Sequence, residues 1–470
     1  MQPSVMGLVV CAVLLVVTLL LRQSMLVALM ASLTLGCTAV AALPSLGGSS
    51  PLVFTVFCAL LILTVAARRT AAQDLGAAFS LYPTFWLVAL LMAYAIVSSV
   101  FFPRLFVGQT SAFVPTTYGV MEVGLAPVSG NISQTGYFVL GGLTFIAVSL
   151  LIMRGLPVAE IRRAFFTWIF LHTAMGGIDL LGKLAGAGDL LEPIRTANYA
   201  MLTEVSAGAF WRIVGAQSEA SAFAGVSLSA IAFAYVYWRR TGSTLALWLG
   251  ISLLVLLLLS TSTTAYAGLA VLSIPVFWSI AKSISQKQLT PADVFVLGTF
   301  AMCFLAALTV VLANPRFFDP FVSLLDTMVL DKMSSDSGQE RSYWNYRSLQ
   351  SVVDTGGLGV GFGSSRASSW PIAVVSQLGI VGSFLMGLLV LALTKETKSF
   401  RRNADNETRA VVAATRAAAL GGLVSNAMIS GTADPGIVFF VSLAVTTCLQ
   451  ARYRSQSARY PGTWPNPIVA

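Results

Sequence analysis

The sequence predicts an all-α polytopic integral membrane protein of about 12–14 transmembrane helices. Three observations predict it. Of 470 residues, 56% are hydrophobic and 10% charged, with a mean hydropathy of +0.82, which is more apolar side chain than a water-facing core can hide. The apolar residues come in runs long enough to cross a hydrocarbon layer of about 30 Å. The basic residues, 28 Lys and Arg against 19 Asp and Glu, fall in the gaps between those runs and not on faces of amphipathic helices. That distribution excludes a soluble enzyme and a nucleic-acid binder.

Taken in order, the runs place spans near 5–21, 25–43, 51–67, 84–102, 134–153, 164–183, 214–238, 244–260, 264–281, 291–313, 372–393, 411–430 and 436–450. The first run ends at Arg22 and a second follows almost at once, without a basic start or a cleavage-type exit, so it reads as a span and not a removable signal peptide. Cys11, Cys37, Cys58, Cys303 and Cys448 all lie inside apolar runs and read as small buried hydrophobes. The organisation expected is a membrane part over 1–313, a large loop or cap over 314–371, further spans over 372–450 and a tail over 451–470.

If every span crosses, all but nine of the 28 basic residues share one side, which the positive-inside bias makes cytoplasmic. The nine on or near the other side are Arg104, Lys183, Arg195, Arg212, Arg316, Lys332, Arg341, Arg347 and Arg366. Cations there run against the bias and invite a functional explanation. Three segments on that side exceed a turn, 103–133, 184–213 and 314–371, and only the last is long enough for a cap. Within it, Ser337 with Gln339-Glu340 reads as a helix start and Gly356-Gly357 as a stop, which puts Arg341 and Trp344 on one helix face.

Three polar strings lie at the membrane edge on this side. Arg212-Ile-Val-Gly215-Ala-Gln-Ser-Glu219-Ala-Ser221 opens a span, so Arg212 and Glu219 are expected on one helical face two turns apart. A carboxylate there must face protein or a wet cavity, whether it serves chemistry or a structural ion pair. Ser260-Thr-Ser-Thr-Thr264 is a hydroxyl-rich turn. Gly361-Phe-Gly-Ser-Ser-Arg366-Ala-Ser368-Ser369-Trp370 brings an Arg, hydroxyls and an aromatic to the next span. Together they are expected to build one polar pocket. The glycines from Gly356 to Gly363 form either a flexible connector or a backbone open to a phosphate; they lack the strand and the Lys-Ser/Thr of a nucleotide loop. His172, Asp179 and Lys183 share a span, as a satisfied core or as a proton line in a transporter. Asp434-Pro435 reads as a turn that ends a helix.

Arg212-x-x-Gly215-x-x-x-Glu219-Ala-Ser221, the Ser260 turn, Arg341-x-x-Trp344 and Gly359-x-Gly361-x-Gly363…Gln377-Leu-Gly379-Ile-Val-Gly382, in this order over about residues 200–385, resemble the O-antigen ligase/polymerase superfamily. The resemblance implies a GT-C-like membrane glycosyltransferase with a helical periplasmic cap, in the bacterial inner membrane, whose active site faces the periplasm. It implies polyprenyl-diphosphate-linked oligosaccharides as donor and acceptor, and a flippase and a chain-length regulator as partners beside the lipid bilayer. The ligases carry a His-Asn pair where this chain has Ser368 and Ser369, and the Ser-Arg after the hydroxyl turn is replaced at Thr263. The Gly-Ser-Ser-Arg-Ala-Ser-Ser variant is most similar to Wzy-type exopolysaccharide polymerases. Polymerisation is therefore expected, probing second a ligase acting on a lipid or protein acceptor and third a transporter or flippase.

Arginine offers a permanently charged fork that binds phosphate oxygens in pairs. Arg212, Arg341 and Arg366 are thus expected to hold the diphosphate and neutralise the leaving group, with no cofactor and no metal site. Glu219 is expected to take the acceptor proton. Ser221, Ser368, Ser369 and Arg347 are expected to bind substrate, and Trp344 to stack on sugar or to pack at the bilayer interface.

Overall fold

The computed structural model describes residues 2–43, 49–116, 119–187, 189–198, 201–203, 206–207, 210–313 and 336–459. The apolar runs become helices because peptide groups in hydrocarbon must be bonded within their own segment. In chain order they are α1 (Val5–Leu20), α2 (Met25–Ser32), α3 (Val53–Ala66), α4 (Ala71–Leu81), α5 (Pro83–Leu105), α6 (Ser129–Met153), α7 (Val158–Leu184), α8 (Ala220–Thr241), α9 (Thr244–Leu259) and α10 (Thr263–Ser285). There follow α11 (Pro291–Ala313), α12 (Asp336–Asp354), α13 (Trp370–Thr394), α14 (Lys398–Asn403), α15 (Asn406–Ile429) and α16 (Ile437–Arg459).

Among the described residues seven helices are long and apolar enough to cross a membrane: α5, α6, α7, α8, α10, α13 and α15. The pair α3 and α4 also passes but is bent by 99° between its halves, and α1, α9, α11 and α16 are shorter apolar helices. The chain is a multi-pass, mostly helical membrane protein. Its inner faces are apolar, as where Phe165 stacks on Phe233 at 4.8 Å. Its outer faces are apolar too, with Trp86, Trp248, Trp278 and Phe384 exposed. A helix apolar all round needs lipid on its outside.

Two expected spans differ. Over 25–43 the helix is only α2, eight residues, and the chain from Leu33 to Ala42 is irregular. Its carbonyls are needed elsewhere: Thr34 O accepts from Gln217 Nε2 at 3.0 Å, and Cys37 O from the N–H groups of Thr196 and Ala197. The span expected from 214 begins at Ala220, because residues 212–219 form the loop that occupies this space. Such non-helical backbone is tolerated at membrane depth where protein surrounds it.

On the side opposite most of the basic residues lies a composite cap. Two-residue strands pair there, β1 (Gln2–Pro3) with β2 (Ala41–Ala42) and β5 (Ser206–Ala207) with β6 (Phe210–Trp211). A longer hairpin, β3 (Ser111–Thr116) and β4 (Gly119–Gly124), is antiparallel, with Phe113 opposite Glu122. The cap helix expected over 340–354 is α12, and its end at Asp354 is closed by Gly357 N–H on Val352 O at 2.8 Å. Segment 314–335, with Arg316 and Lys332, lies outside the described residues, as does the tail from 460.

The glycine-rich strip leads from α12 into α13 and lies against a break in it. Gly379 inside α13 takes φ 62° and ψ −164°, and a Cβ there would stand 2.3 Å from Leu358 O. Across the break Val360 N–H bonds Ser376 O at 2.8 Å, Gly361 N–H bonds Gln377 O at 3.0 Å and Ile380 N–H bonds Gly357 O at 2.9 Å. Gly359, Phe362 and Gly363 N–H groups are taken by Thr355 Oγ1, Ser98 Oγ and Gln377 Oε1. These donors are spent on the fold, so the strip is a packed connector and not a phosphate cradle. Gly379→Ala combines a disfavoured φ with a backbone clash and is expected to cost at least about 2 kcal/mol. Gly387→Ala in the same helix, with nothing near its Cβ, should be neutral. Thermal denaturation of both variants in detergent checks the contrast.

Candidate active site

The site is built on a buried carboxylate. Asp179, near the cap-side end of α7 with its side chain 1% exposed, accepts from Val214 N–H at 2.7 Å and Gly215 N–H at 3.0 Å. Lys183 Nζ lies 3.0 Å from its Oδ1 and Arg195 Nη2 3.8 Å. The two cations also clamp the same loop through its carbonyls: Lys183 Nζ donates to Arg212 O at 2.6 Å and Arg195 Nη2 to Gly215 O at 2.6 Å. Gly215 takes φ 56°, so the chain turns here instead of entering the helix. Arg212 and Glu219 are consequently not two turns apart on one helix. They sit at the two ends of a non-helical loop, with Glu219 in the N-cap position of α8.

The facing wall is the stretch before α13. Arg366 N–H bonds Phe113 O at 2.8 Å, Phe113 N–H bonds Ser365 Oγ at 2.9 Å and Ala367 N–H bonds Gly431 O at 3.1 Å. Gln377 Nε2 donates to Ser365 O at 2.7 Å. Gly431 lies against the Arg366 stem so closely that a Cβ there would stand 2.3 Å from Cγ. Arg366 is open to solvent yet surrounded by protein, which describes the floor of a recess. Burial pushes its guanidinium pKa down, Glu219 opposes this and Arg341 adds to it. Arg212 is likewise lowered by burial with Glu219 opposing. The loop before α8, the cap helix and the stretch before α13 thus bring Arg212, Glu219, Arg341 and Arg366 into one electrostatic neighbourhood.

These arginines lack an ion pair among the described residues, as does Arg104 at the exposed end of α5. Of the other cap-side cations, Lys183 pairs with Asp179, Arg195 with Asp179 and Asp189, and Arg347 with Glu122 at 3.2 Å. Among the described residues, Arg212, Arg341 and Arg366 form no ion pair, and the Arg212 Nε is enclosed without a partner. Glu219 is the carboxylate in range of Arg212 and Arg366, and Ser221 Oγ donates to its Oε1 at 2.5 Å. The result is an excess of fixed positive charge in a recess, an arrangement suited to a multiply charged anion.

The other expected residues fall as follows. Trp344 packs on Phe113 with centroids 6.0 Å apart and remains partly exposed beside the recess. Tyr343 also packs on Phe113 and donates to Glu122 Oε2 at 2.7 Å. Arg347, with Nε on Glu122 and Nη2 on Ser111 Oγ at 3.0 Å, ties the cap helix to the hairpin. Ser368 N–H bonds Asn345 Oδ1 at 3.0 Å, joining the cap helix to the Arg366 stretch, and Ser369 is the N-cap residue of α13. The Ser260–Thr264 turn is largely buried, and Ser260 Oγ bonds Leu257 O at 2.6 Å within its own turn. Of the three polar strings, two meet. His172 Nε2 lies 3.0 Å from Ser227 Oγ and its ring stacks on Phe223, a satisfied core residue.

Three supporting residues carry little sequence signal beyond being polar in apolar surroundings. Buried Asn131 donates to Phe362 O at 2.8 Å and to Ser364 Oγ at 2.7 Å. Gln377 bonds the glycine strip on one side and Ser365 on the other. Asp434 is more than a helix end: its loop carries Gly431, accepts from Trp370 Nε1 at Ala433 O (3.1 Å), and its Oδ1 accepts from Gly436 N–H at 2.8 Å. Burial pushes the Asp434 carboxyl up to about 6, with the Gly436 N–H opposing. Among the described residues no three His, Cys, Asp or Glu side chains gather as a metal site.

No known protein family and no curated protein matches this chain.

Two outcomes follow from this geometry. Asp179→Asn leaves Lys183 an uncompensated buried cation, while Arg195 keeps Asp189, and is expected to cost about 3–5 kcal/mol, with part recovered in Asp179→Asn/Lys183→Met; chemical denaturation in micelles measures both. Asp434 has a folded pKa above its unfolded one, so its neutral form stabilises the fold. That contribution is full below about pH 4 and lost as pH rises through about 6. Melting temperatures over this range should therefore fall for the wild type relative to Asp434→Asn.

Proposed function

We propose that this protein polymerises polyprenyl-diphosphate-linked oligosaccharide repeat units at the periplasmic face of a bacterial inner membrane. The observation that carries the reading is the grouping of Arg212, Arg341 and Arg366, without an ion pair among the described residues, with Glu219 in electrostatic range of Arg212 and Arg366. The motif resemblance supplies the substrate class, and the excess of these cations over the carboxylate in their neighbourhood supports an anion.

In this reading the growing glycan on one polyprenyl diphosphate is the donor and a new lipid-linked repeat is the acceptor. The acceptor hydroxyl attacks the anomeric carbon, forming the new glycosidic bond. The bond from that carbon to the phosphate oxygen breaks, and the electron pair leaves with the polyprenyl diphosphate. Arg212, Arg341 and Arg366 hold the diphosphate and offset the charge that grows on it, the kind of stabilisation that usually dominates such transfers. The acceptor proton passes to Glu219, which Ser221 orients through its hydrogen bond to Oε1. A single displacement inverts the anomeric configuration. Trp344 and the hydroxyls of Ser368 and Ser369 border the path of the sugars.

The test is a reaction in nanodiscs with lipid-linked repeat units, products resolved by size. The wild type is expected to give a ladder. Arg366→Ala, Arg212→Ala and Glu219→Gln, each folded by melting analysis, should reduce its rate about 100-fold or more. A wild type that yields no ladder but moves the lipid-linked unit across a vesicle bilayer would overturn the reading in favour of transport.

A further inference from the structure

On the other, Arg-rich side four arginines are held in ion pairs. Arg154 pairs with Asp74 at 2.8 Å, Arg162 with Glu407 at 2.9 Å, Arg163 with Glu160 and Arg239 with Asp293. Asp405 caps α15 through Thr408 N–H at 2.9 Å and accepts from Tyr453 Oη at 3.1 Å. Those carboxylates are taken. Arg240, Arg409 and Arg416 form no ion pair among the described residues, and Glu396 is the carboxylate within electrostatic range of Arg240 and Arg416.

These three guanidinium groups are neighbours by construction. Arg240 lies in the last turn of α8, which packs antiparallel along α15. Arg409 and Arg416 are seven apart on α15 and so share a face. Arg240 lies in the electrostatic range of both Arg409 and Arg416. Arg409 bonds Asn406 Oδ1, and Arg416 Nη2 reaches the carbonyl of Lys395 at the end of α13 at 2.7 Å. The Nε atoms of both Arg409 and Arg416 are enclosed and have no partner among the described residues. Arginines scattered on a wet surface would not leave enclosed donors unspent, and three guanidinium groups near one another, with Glu396 in range of two of them, leave an excess of positive charge that suits an anion.

We propose that Arg240, Arg409 and Arg416 form a second anion site, for the phosphate headgroup of an anionic glycerophospholipid. A phosphate fits the planar forks, which bind its oxygens in pairs. The lipid, in preference to a free anion, is favoured by what lies one turn deeper: Leu391 on α13 and Leu420 on α15, both exposed and apolar, offer a surface for an acyl chain. Basic pockets between the ends of spanning helices are suited to such headgroups. The inference is independent of the chemistry on the cap side.

The test uses the full chain, delipidated in a non-ionic detergent, with binding read by native mass spectrometry and thermal stabilisation. The wild type is expected to bind phosphatidylglycerol about tenfold more tightly than phosphatidylcholine, and millimolar inorganic phosphate should neither stabilise it nor compete. R240Q/R416Q is expected to lose that preference, while R401Q/R402Q, which removes equal charge from exposed positions on neighbouring α14, keeps it. Should R240Q/R416Q not fold, R240K/R416K keeps the charge without the fork and is expected to weaken binding several-fold. No lipid preference in the wild type, an equal loss in R401Q/R402Q, unchanged binding in the lysine variant, or displacement by inorganic phosphate would each overturn the proposal.

Discussion

A buried carboxylate at the top of α7 is the constraint on which the cap side depends. Asp179 takes two backbone N–H groups of the 212–219 loop and two cations, and those cations take two of the loop's carbonyls. Gly215 at φ 56° and the Gln217 bond to Thr34 O hold the same loop out of helix from its other groups. Held as it is, the loop drops into the space left by the short α2 and presents Arg212 and Glu219 at its ends. The cost of burying Asp179 is met by three donors, with Arg195 as a second cation 3.8 Å away, which is what makes a carboxylate tolerable at this depth.

A second constraint acts from the other wall. The break at Gly379 lets α13 accept the glycine strip along its backbone, and the strip in turn fixes the Arg366 stretch through Gln377 and Asn131. Gly431 closes on the Arg366 stem from behind, and the hairpin bonds it from the side through Phe113. Arg366 is thus held by its surroundings and forms no ion pair among the described residues. Preorganisation of this kind is what the proposed transfer needs, since fixed charges do not reorganise as a leaving group develops its own. Arg341, exposed on the cap helix, completes the set from above.

Much of this was legible in the residues. Long apolar runs report spans directly, and most of the helices fall where the runs lie. The exceptions share one cause: residues 33–43 and the start of the span expected from 214 adjoin apolar runs, but their backbone groups are claimed by partners far away in sequence, such as Gln217 with Thr34 and Asp179 with Val214. Arg347 illustrates the same limit within the site. Its pattern on the cap helix equals that of Arg341, and only Glu122, on a hairpin 225 residues earlier, separates a structural ion pair from an unpaired cation. Arg212, Arg341, Arg366 and Glu219 were legible because cations on the side opposite the basic bias are few. Gln377, Asn131 and Gly431, which aim them, carry no charge and so leave no such trace.

The two faces of the molecule differ in the same currency. Each gathers arginines that form no ion pair among the described residues, three under the cap and three on α8 and α15 on the Arg-rich side. The claim at the centre of this picture is that the recess holds a diphosphate. Its most direct test is a cryo-electron microscopy map of the protein in nanodiscs with a polyprenyl diphosphate. Density for two phosphates bounded by Arg212, Arg341 and Arg366, with Glu219 at its edge, is the expected result. Diphosphate density elsewhere, with the three guanidinium groups turned to water, would contradict it.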